Sequence, residues 1–295
     1  MNFIIGRKYE VAQLIGRGKF GRVYKGKNIK TRECVAIKVE AEDTPFKLLK
    51  HEASLLKYLY DHECRSIPFI YWYGVVDAGP CLVMPFYDCS LYDKAISYNN
   101  ENLALEKIDQ IMVICLDILE SIHKNYVIHR DIKPHNFMYK NGELYLIDFG
   151  LSSFYIGENK EHVPILTDNE YITGTPKFIS YYIHEGITPS RKDDLISLGY
   201  MYLWLLGKEL PWDNITDSEI EIFEECHILH GKNQERKRLK SLENLSQIYG
   251  NVNRRVCDYL AYIYGLDYKY TPNYSALCDL FSVPTISVPT ISVQP

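Results

Sequence analysis

Across residues 9–39 apolar side chains alternate with glycines and charges, with Val11, Leu14, Val23, Tyr24, Val35, Ile37 and Val39 carrying the pattern. A period of two puts one set of side chains on each face of a strand, so this stretch predicts a small antiparallel sheet. Thr44-Pro45 reads as a helix cap with proline at the first helical position. Behind it Phe46, Leu49, Ala53, Leu56 and Leu59 recur at helical spacing. Two further apolar stretches, 69–76 and 81–86, complete the predicted sheet.

Beyond Ser90 the period changes: Leu105, Ile108, Met112, Cys115, Leu119 and Ile122 form one stripe of a long amphipathic helix. Short apolar runs at 137–139 and 144–147 flank Asn141-Gly142, a strong hairpin signal. The polar stretch 152–177 has no regular apolar period and is expected to be a loop, with helices resuming at Ser190 and continuing to about Phe281. The most apolar run, 195–206, is shorter than the ~20 residues a bilayer span needs and predicts a buried core helix. From Ser282 the chain repeats Ser-Val-Pro-Thr-Ile, again from Ser287, and breaks at Ser292-Val293-Gln294-Pro295. Proline at that frequency excludes a regular helix or central strand, so 282–295 is expected to be a disordered or extended tail.

Composition narrows this picture modestly. A chain of 295 residues is long for one compact core and suits two lobes sharing a cleft. A net charge of −5 gives no reason to expect nucleic acid or an anionic membrane as the main partner. The eight cysteines are scattered with no C-x-x-C pair, and the N-terminus has no charged-then-apolar leader pattern, so a reducing, cytoplasmic or nuclear location is expected. In that setting the sequons at Asn214, Asn244 and Asn273 are chance matches. Cys226, His227 and His230, like His62 and Cys64, lack a second ligand pair at zinc spacing and read as ordinary residues. The basic cluster Lys232, Arg236, Lys237, Arg238 and Lys240 reads as a solvated loop or helix face, ahead of an acidic-partner or nuclear-import segment.

The chemistry is carried by His129-Arg130-Asp131-Ile132-Lys133-Pro134-His135-Asn136, followed by Asp148-Phe149-Gly150. In this order the two segments resemble the catalytic and metal-binding loops of protein kinases, which move a phosphoryl group from ATP. That transfer needs little covalent help from protein; it needs the acceptor positioned and phosphate charge neutralised by Mg²⁺. Asp131 is thereby expected to orient the acceptor hydroxyl, and Asn136 and Asp148 to hold metal. Upstream, Gly16-Arg17-Gly18-Lys19-Phe20-Gly21-Arg22-Val23 fits a glycine-rich nucleotide loop, whose missing side chains let backbone N–H groups approach phosphate. A dinucleotide fingerprint would require a helix opening at those glycines, and strand-like Val23-Tyr24 follows instead. Val35-Ala36-Ile37-Lys38 supplies a lysine for the α- and β-phosphates, with Glu52 as the carboxylate that holds its ammonium.

No A-P-E follows the polar stretch; Ile179-Ser180-Tyr181-Tyr182 stands there. This absence, with Ser190-Arg191-Lys192-Asp193-Asp194-Leu195-Ile196-Ser197-Leu198-Gly199-Tyr200, resembles the casein kinase 1 family, which carries a nearly identical S-R-R-D-D-L-E-S-L-G-Y. Thr173-Gly174-Thr175, His184 with Gly186, and Leu210-Pro211-Trp212 also match that family's pattern. The resemblance implies an α+β, bilobal kinase domain over 9–281. Its small antiparallel-sheet lobe with one helix spans 9–86, its hinge 85–88, and its larger helical lobe 89–281. It implies MgATP-dependent phosphorylation of Ser/Thr in protein substrates by a monomer, Lys133 as the Ser/Thr-type catalytic lysine, and Asp194 as the anchor of the catalytic loop. The implied ATP-binding set is Ile15, Gly16, Gly18, Gly21, Val23, Ala36, Lys38, Met84, Pro85 and Tyr87. Where the family has glutamate at the hinge, this chain has Pro85; proline keeps the carbonyl, and the N–H contact to adenine comes from Tyr87.

The family's basic substrate pocket maps onto Arg130 and Lys177, but the later loop reads Thr216-Asp217-Ser218-Glu219-Ile220-Glu221 and brings acid where base is expected. A requirement for phosphorylated or acidic substrate sites is therefore expected to be weakened. Two other classes fit the chain less well. A pseudokinase scaffold that binds nucleotide and partners is disfavoured because no catalytic lysine, aspartate or asparagine is missing, and a small-molecule kinase is disfavoured by the family-specific segment at 190–200.

Overall fold

The computed structural model describes residues 4–18, 21–40, 47–97, 103–216, 226–250 and 253–282. The N-terminal half is built on a six-stranded antiparallel sheet of β1 (Ile4–Ile5), β2 (Tyr9–Gly18), β3 (Gly21–Asn28), β4 (Cys34–Glu40), β5 (Trp72–Val76) and β6 (Gly79–Pro85), in spatial order β1-β2-β3-β4-β6-β5. Alternation along β4 and β6 gives the sheet two apolar faces. Val35, Ile37, Cys81 and Val83 pack with Ile5 and Tyr9 on one face, while Ala36, Leu82 and Met84 join the main core on the other. The sheet gains β1, a pair of residues outside the expected alternation, because Ile5 closes the first of these clusters.

Helix α1 (Leu48–Asp61) lies across the inner face and buries Leu49, Glu52, Ala53, Leu55, Leu56 and Leu59. It is described from Leu48; the expected cap Thr44-Pro45 falls within residues 41–46, which lie outside the described segments. Its N-cap, Lys47, does not cap the helix with its side chain; the Leu49 N–H donates instead to Glu40 Oε1 at 2.9 Å. A carboxylate there satisfies an orphan donor and complements the positive end of the helix dipole. β4 therefore both carries Lys38 and, two residues later, secures the helix that carries Glu52.

The C-terminal half is helical: α2 (Leu91–Ser97), α3 (Leu105–Lys124), α4 (Arg191–Gly207), α5 (Gly231–Leu239), α6 (Leu242–Tyr249), α7 (Arg254–Tyr264) and α8 (Tyr274–Ser282). Short strands β7 (Cys89–Ser90), β9 (Phe137–Lys140) and β10 (Glu143–Leu146) form a small sheet, and β8 (Val127–Ile128) pairs with β11 (Ser153–Phe154). The expected hairpin is present: Lys140 pairs with Glu143, and Asn141 and Gly142 both take positive φ, +52° and +86°, as a two-residue hairpin turn requires. Helix α4 is buried along 191–205 and forms the centre of the helical lobe, with α3 and α7 packed against it. A Ser190–Asp193 capping box starts it. Among the described residues no helix is long and apolar enough to cross a membrane.

The basic cluster at 232–240 differs from its expected reading. Lys240 and Arg236 are buried, the latter donating to Ile215 O at 2.6 Å, while Lys237 pairs with Glu185 and Arg238 with Glu235. Much of its charge is engaged inside the fold, through contacts the linear run does not reveal. The acidic stretch 217–221 and the repeats from residue 283 lie outside the described residues.

Candidate active site

Register across the sheet sets the upper wall of the cleft. Val23 pairs with Lys38 and Lys38 with Leu82; one step along, Ala36 pairs with Met84. Directly opposed residues share a face, so Val23, Ala36, Lys38 and Met84 line one surface. Gly16 pairs with Val23 and Gly18 with Gly21, and the register shift between Leu14 and Gly16 leaves Ile15 out of the ladder, 47 % exposed. At the lower end of β6, Pro85 and Tyr87 are buried, the Tyr87 ring lying 5.4 Å from that of Tyr145.

Lys38 Nζ stands 2.7 Å from Glu52 Oε2 and 2.7 Å from Asp148 Oδ1. The ammonium thus bridges β4, α1 and the loop after β10. Burial works against its charge, but the two carboxylates outweigh that and raise its pKa. Burial likewise opposes ionisation of Asp148, and Lys38 overrides it, holding the carboxyl at about 2. Asp148 itself sits at φ +66°, a left-handed backbone uncommon for a non-glycine residue. Glu52 also takes a backbone hydrogen bond from Phe149, and His51 on the same helix bonds Ser152 O at 2.7 Å. Helix α1 is therefore tied to the segment that follows Asp148 as well as to Lys38.

The loop between β8 and β9 is held from below by α4. Asp194, 2 % exposed, accepts the His129 N–H through Oδ2 at 2.7 Å and the Arg130 N–H through Oδ1 at 2.8 Å. His123 on α3 completes the carboxylate's shell through Nε2 at 2.9 Å, and Tyr274 on α8 bonds the other nitrogen of that ring. With these donors Asp194 is lowered despite its burial. The His129 ring sits between the two functional loops: Nε2–H donates to Ile147 O at 3.0 Å, and Nδ1 accepts the Asp131 N–H at 3.3 Å. Burial lowers its pKa, which keeps the ring neutral and able to do both.

Asp131 faces three partners. Lys133 Nζ lies 2.6 Å from its Oδ2, Asn136 Nδ2 donates to the same oxygen at 3.1 Å, and Thr175 donates to Oδ1 through its hydroxyl at 2.6 Å and its N–H at 3.0 Å. Lys133 also donates to Thr175 Oγ1 at 2.8 Å, closing the ring. The preceding Gly174 is at φ +103°, and a Cβ there would come within 2.6 Å of Arg130 O, so only glycine allows this approach. Asn136 also donates to Asp131 O, which orients the amide and leaves Oδ1 as its acceptor. An ionised carboxylate at Asp148 and an amide oxygen at Asn136 are hard oxygen donors of the kind Mg²⁺ takes, so the residues present fit that ion.

The structure thus brings Lys38, Glu52 and Asp148 into direct contact, and Asp131, Lys133 and Asn136 into another cluster. Arg130 and Lys177 are engaged separately: Arg130 through its backbone with Asp194, Lys177 through an ion pair with Asp213 at 2.8 Å. Thr175, His123 and Glu40 are site-supporting residues that the motif reading did not single out for a role. For Thr175 a signal existed, its fixed place after Thr173-Gly174; for His123 and Glu40, neither motif nor period marks them. A family model described as protein kinase domain matches this chain over residues 9–261.

Proposed function

This chain belongs to the protein kinase domain family, and we propose that it is a serine/threonine protein kinase of the casein kinase 1 type. The observation that carries the reading is the ring Asp131–Lys133–Thr175, in which one carboxylate is oriented from two sides by fixed donors. A carboxylate so oriented is suited to receive the proton of an incoming Ser/Thr hydroxyl. Lys133, two positions after Asp131, is the lysine that the resemblance assigns to Ser/Thr-type enzymes.

Bound MgATP supplies the phosphoryl group and the positive charge that offsets its oxygens during transfer. In this reading Asn136 and Asp148 hold the metal, and Lys38, kept in place by Glu52, holds phosphate. Gly16, Gly18 and Gly21 offer backbone N–H groups, while Ile15, Val23, Ala36 and Met84 enclose the base beside the carbonyl of Pro85 and the N–H of Tyr87. The domain is taken as 9–281, with 85–88 as hinge; Ser282, expected to open the tail, instead ends α8, so the separate tail is taken from residue 283. Because Asp213 already neutralises Lys177, dependence on an acidic or phosphorylated substrate site is expected to be weak.

A peptide array incubated with MgATP tests the whole reading. Phosphate on Ser and Thr and none on Tyr is the expected result, with at most a small preference for peptides carrying an upstream phosphoserine. A blank array from protein that still binds nucleotide would refute it and leave a nucleotide-binding scaffold.

A further inference from the structure

Lys240, just beyond the end of α5, is fully buried, an unusual state for a lysine. Its ammonium donates to Pro176 O at 2.8 Å, to Ile179 O at 2.7 Å and to His184 Nε2 at 3.1 Å. These match the three N–H groups an ammonium offers. The charge also lies 5.2 Å from the Tyr200 ring centroid and 5.1 Å from that of Trp212, where ring faces favour a cation. Burial, then the Lys240 charge, lowers the pKa of His184 far below its ordinary value, so Nε2 stays an acceptor.

The two carbonyls matter because of what lies between them. Phe178 N–H and Ile179 N–H both donate to Thr175 O, making one tight turn of 175–179. Trp212 Nε1 holds one of the two carbonyls between those of Pro176 and Ile179, that of Lys177, at 2.8 Å. The first residue of this turn is Thr175, whose N–H and hydroxyl both bond Asp131.

We propose that Lys240 is a positioning residue: its ammonium fixes the 175–179 turn, and through Thr175 it orients Asp131 and the protein-substrate side of the cleft. The nucleotide side is tied instead through Lys38, Glu52 and Asp148, which meet one another in a separate cluster. The inference rests on the kinase reading for its functional half only. Loss of the ammonium therefore acts on acceptor-side parameters and spares nucleotide binding.

The test compares the full chain with Lys240→Met, which keeps apolar bulk but removes the donors, and with Lys240→Arg, which keeps the charge. Hydrogen exchange is expected to speed up about 10-fold or more at Phe178 and Ile179 in Lys240→Met, with no change across 36–53. In steady-state assays kcat/KM for peptide falls about 10²-fold, while the nucleotide Kd stays within about twofold; Lys240→Arg restores part of both effects. Unchanged exchange in the turn, or faster exchange spread over the whole helical half, overturns the proposal, as does a nucleotide Kd that weakens in step with the peptide. If Lys240→Met does not fold, Lys240→Gln is measured in the same way, and failure of both overturns a specific positioning role in favour of a purely structural one. A wild-type chain that phosphorylates no peptide refutes the proposed function, while the exchange data still decide whether Lys240 holds the turn.

Discussion

Replacing Asp194 by Asn probes the deepest support of the site. The carboxylate is 2 % exposed and accepts from the His129 N–H, the Arg130 N–H and His123 Nε2. An asparagine keeps one oxygen acceptor. If that oxygen takes the His129 and His123 side, the amide N–H₂ meets the Arg130 N–H, donor against donor. One charge-assisted bond worth about 1.5–3 kcal/mol is lost, and a backbone donor is left buried and unsatisfied. Arg130 is also held at φ +70°, a strained value for a side chain with a Cβ, and the Oδ1 bond helps to keep it there. Together these give a destabilisation of about 3–5 kcal/mol, a large share of the ~5–15 kcal/mol that a domain has. Urea unfolding of Asp194→Asn is expected to show a lower midpoint at unchanged slope, with kcat down about 10²-fold because the shifted backbone carries Asp131. A loss below about 1 kcal/mol, with the slope unchanged, would refute the anchoring role.

Two further outcomes follow from the geometry. Lys38→Met is expected to lower activity strongly and Glu52→Gln less; because Glu52 acts through Lys38 at 2.7 Å, the double variant should lose no more than Lys38→Met alone, and additive losses would show that the pair does not act as a unit. Burial lowers the pKa of His129, His135, His162 and His184, so below about pH 6.5 the unfolded chain binds protons that the folded chain does not, and stability present above that value is lost as pH falls. Asp193, raised to about 6 by burial, and Glu52, also raised by burial, run the other way, favouring the folded state at low pH and losing that contribution as pH rises, but they are two groups against four. Urea midpoints at pH 7.5 and 5.5 check the balance: a midpoint that rises on acidification contradicts it.

Much of the site was legible in the linear chain because phosphoryl-transfer chemistry demands particular residue types in a particular order. The order Gly16, Lys38, Asp131, Asn136 and Asp148 needs no geometry to be read, and the place of Glu52 on a helical stripe was enough to pair it with Lys38. The Leu49 N–H in the first turn of α1 is satisfied by Glu40 on another element, a partner that no local cap signal reveals. Local propensity weighs little against a tertiary contact that satisfies the same donor.

The linear chain carries the period of each segment and the identity of its reactive groups: strands at 9–39, the helix at 105–124, the Asn141-Gly142 turn, the aspartates and the lysine of the site. These are short-range properties, set by side-chain spacing and backbone preference. Which charges are buried, and what they hold, depends on how the elements pack. Lys240 stands in a run of basic residues that reads as solvated, yet it reaches carbonyls 61 and 64 positions away. Thr175 meets Asp131 across 44 positions, and Asp194 meets the backbone of Arg130 and His129 across 64 and 65. A buried charge is tolerated only where several partners converge on it, and that convergence is a property of packing between elements, which no window along the chain contains.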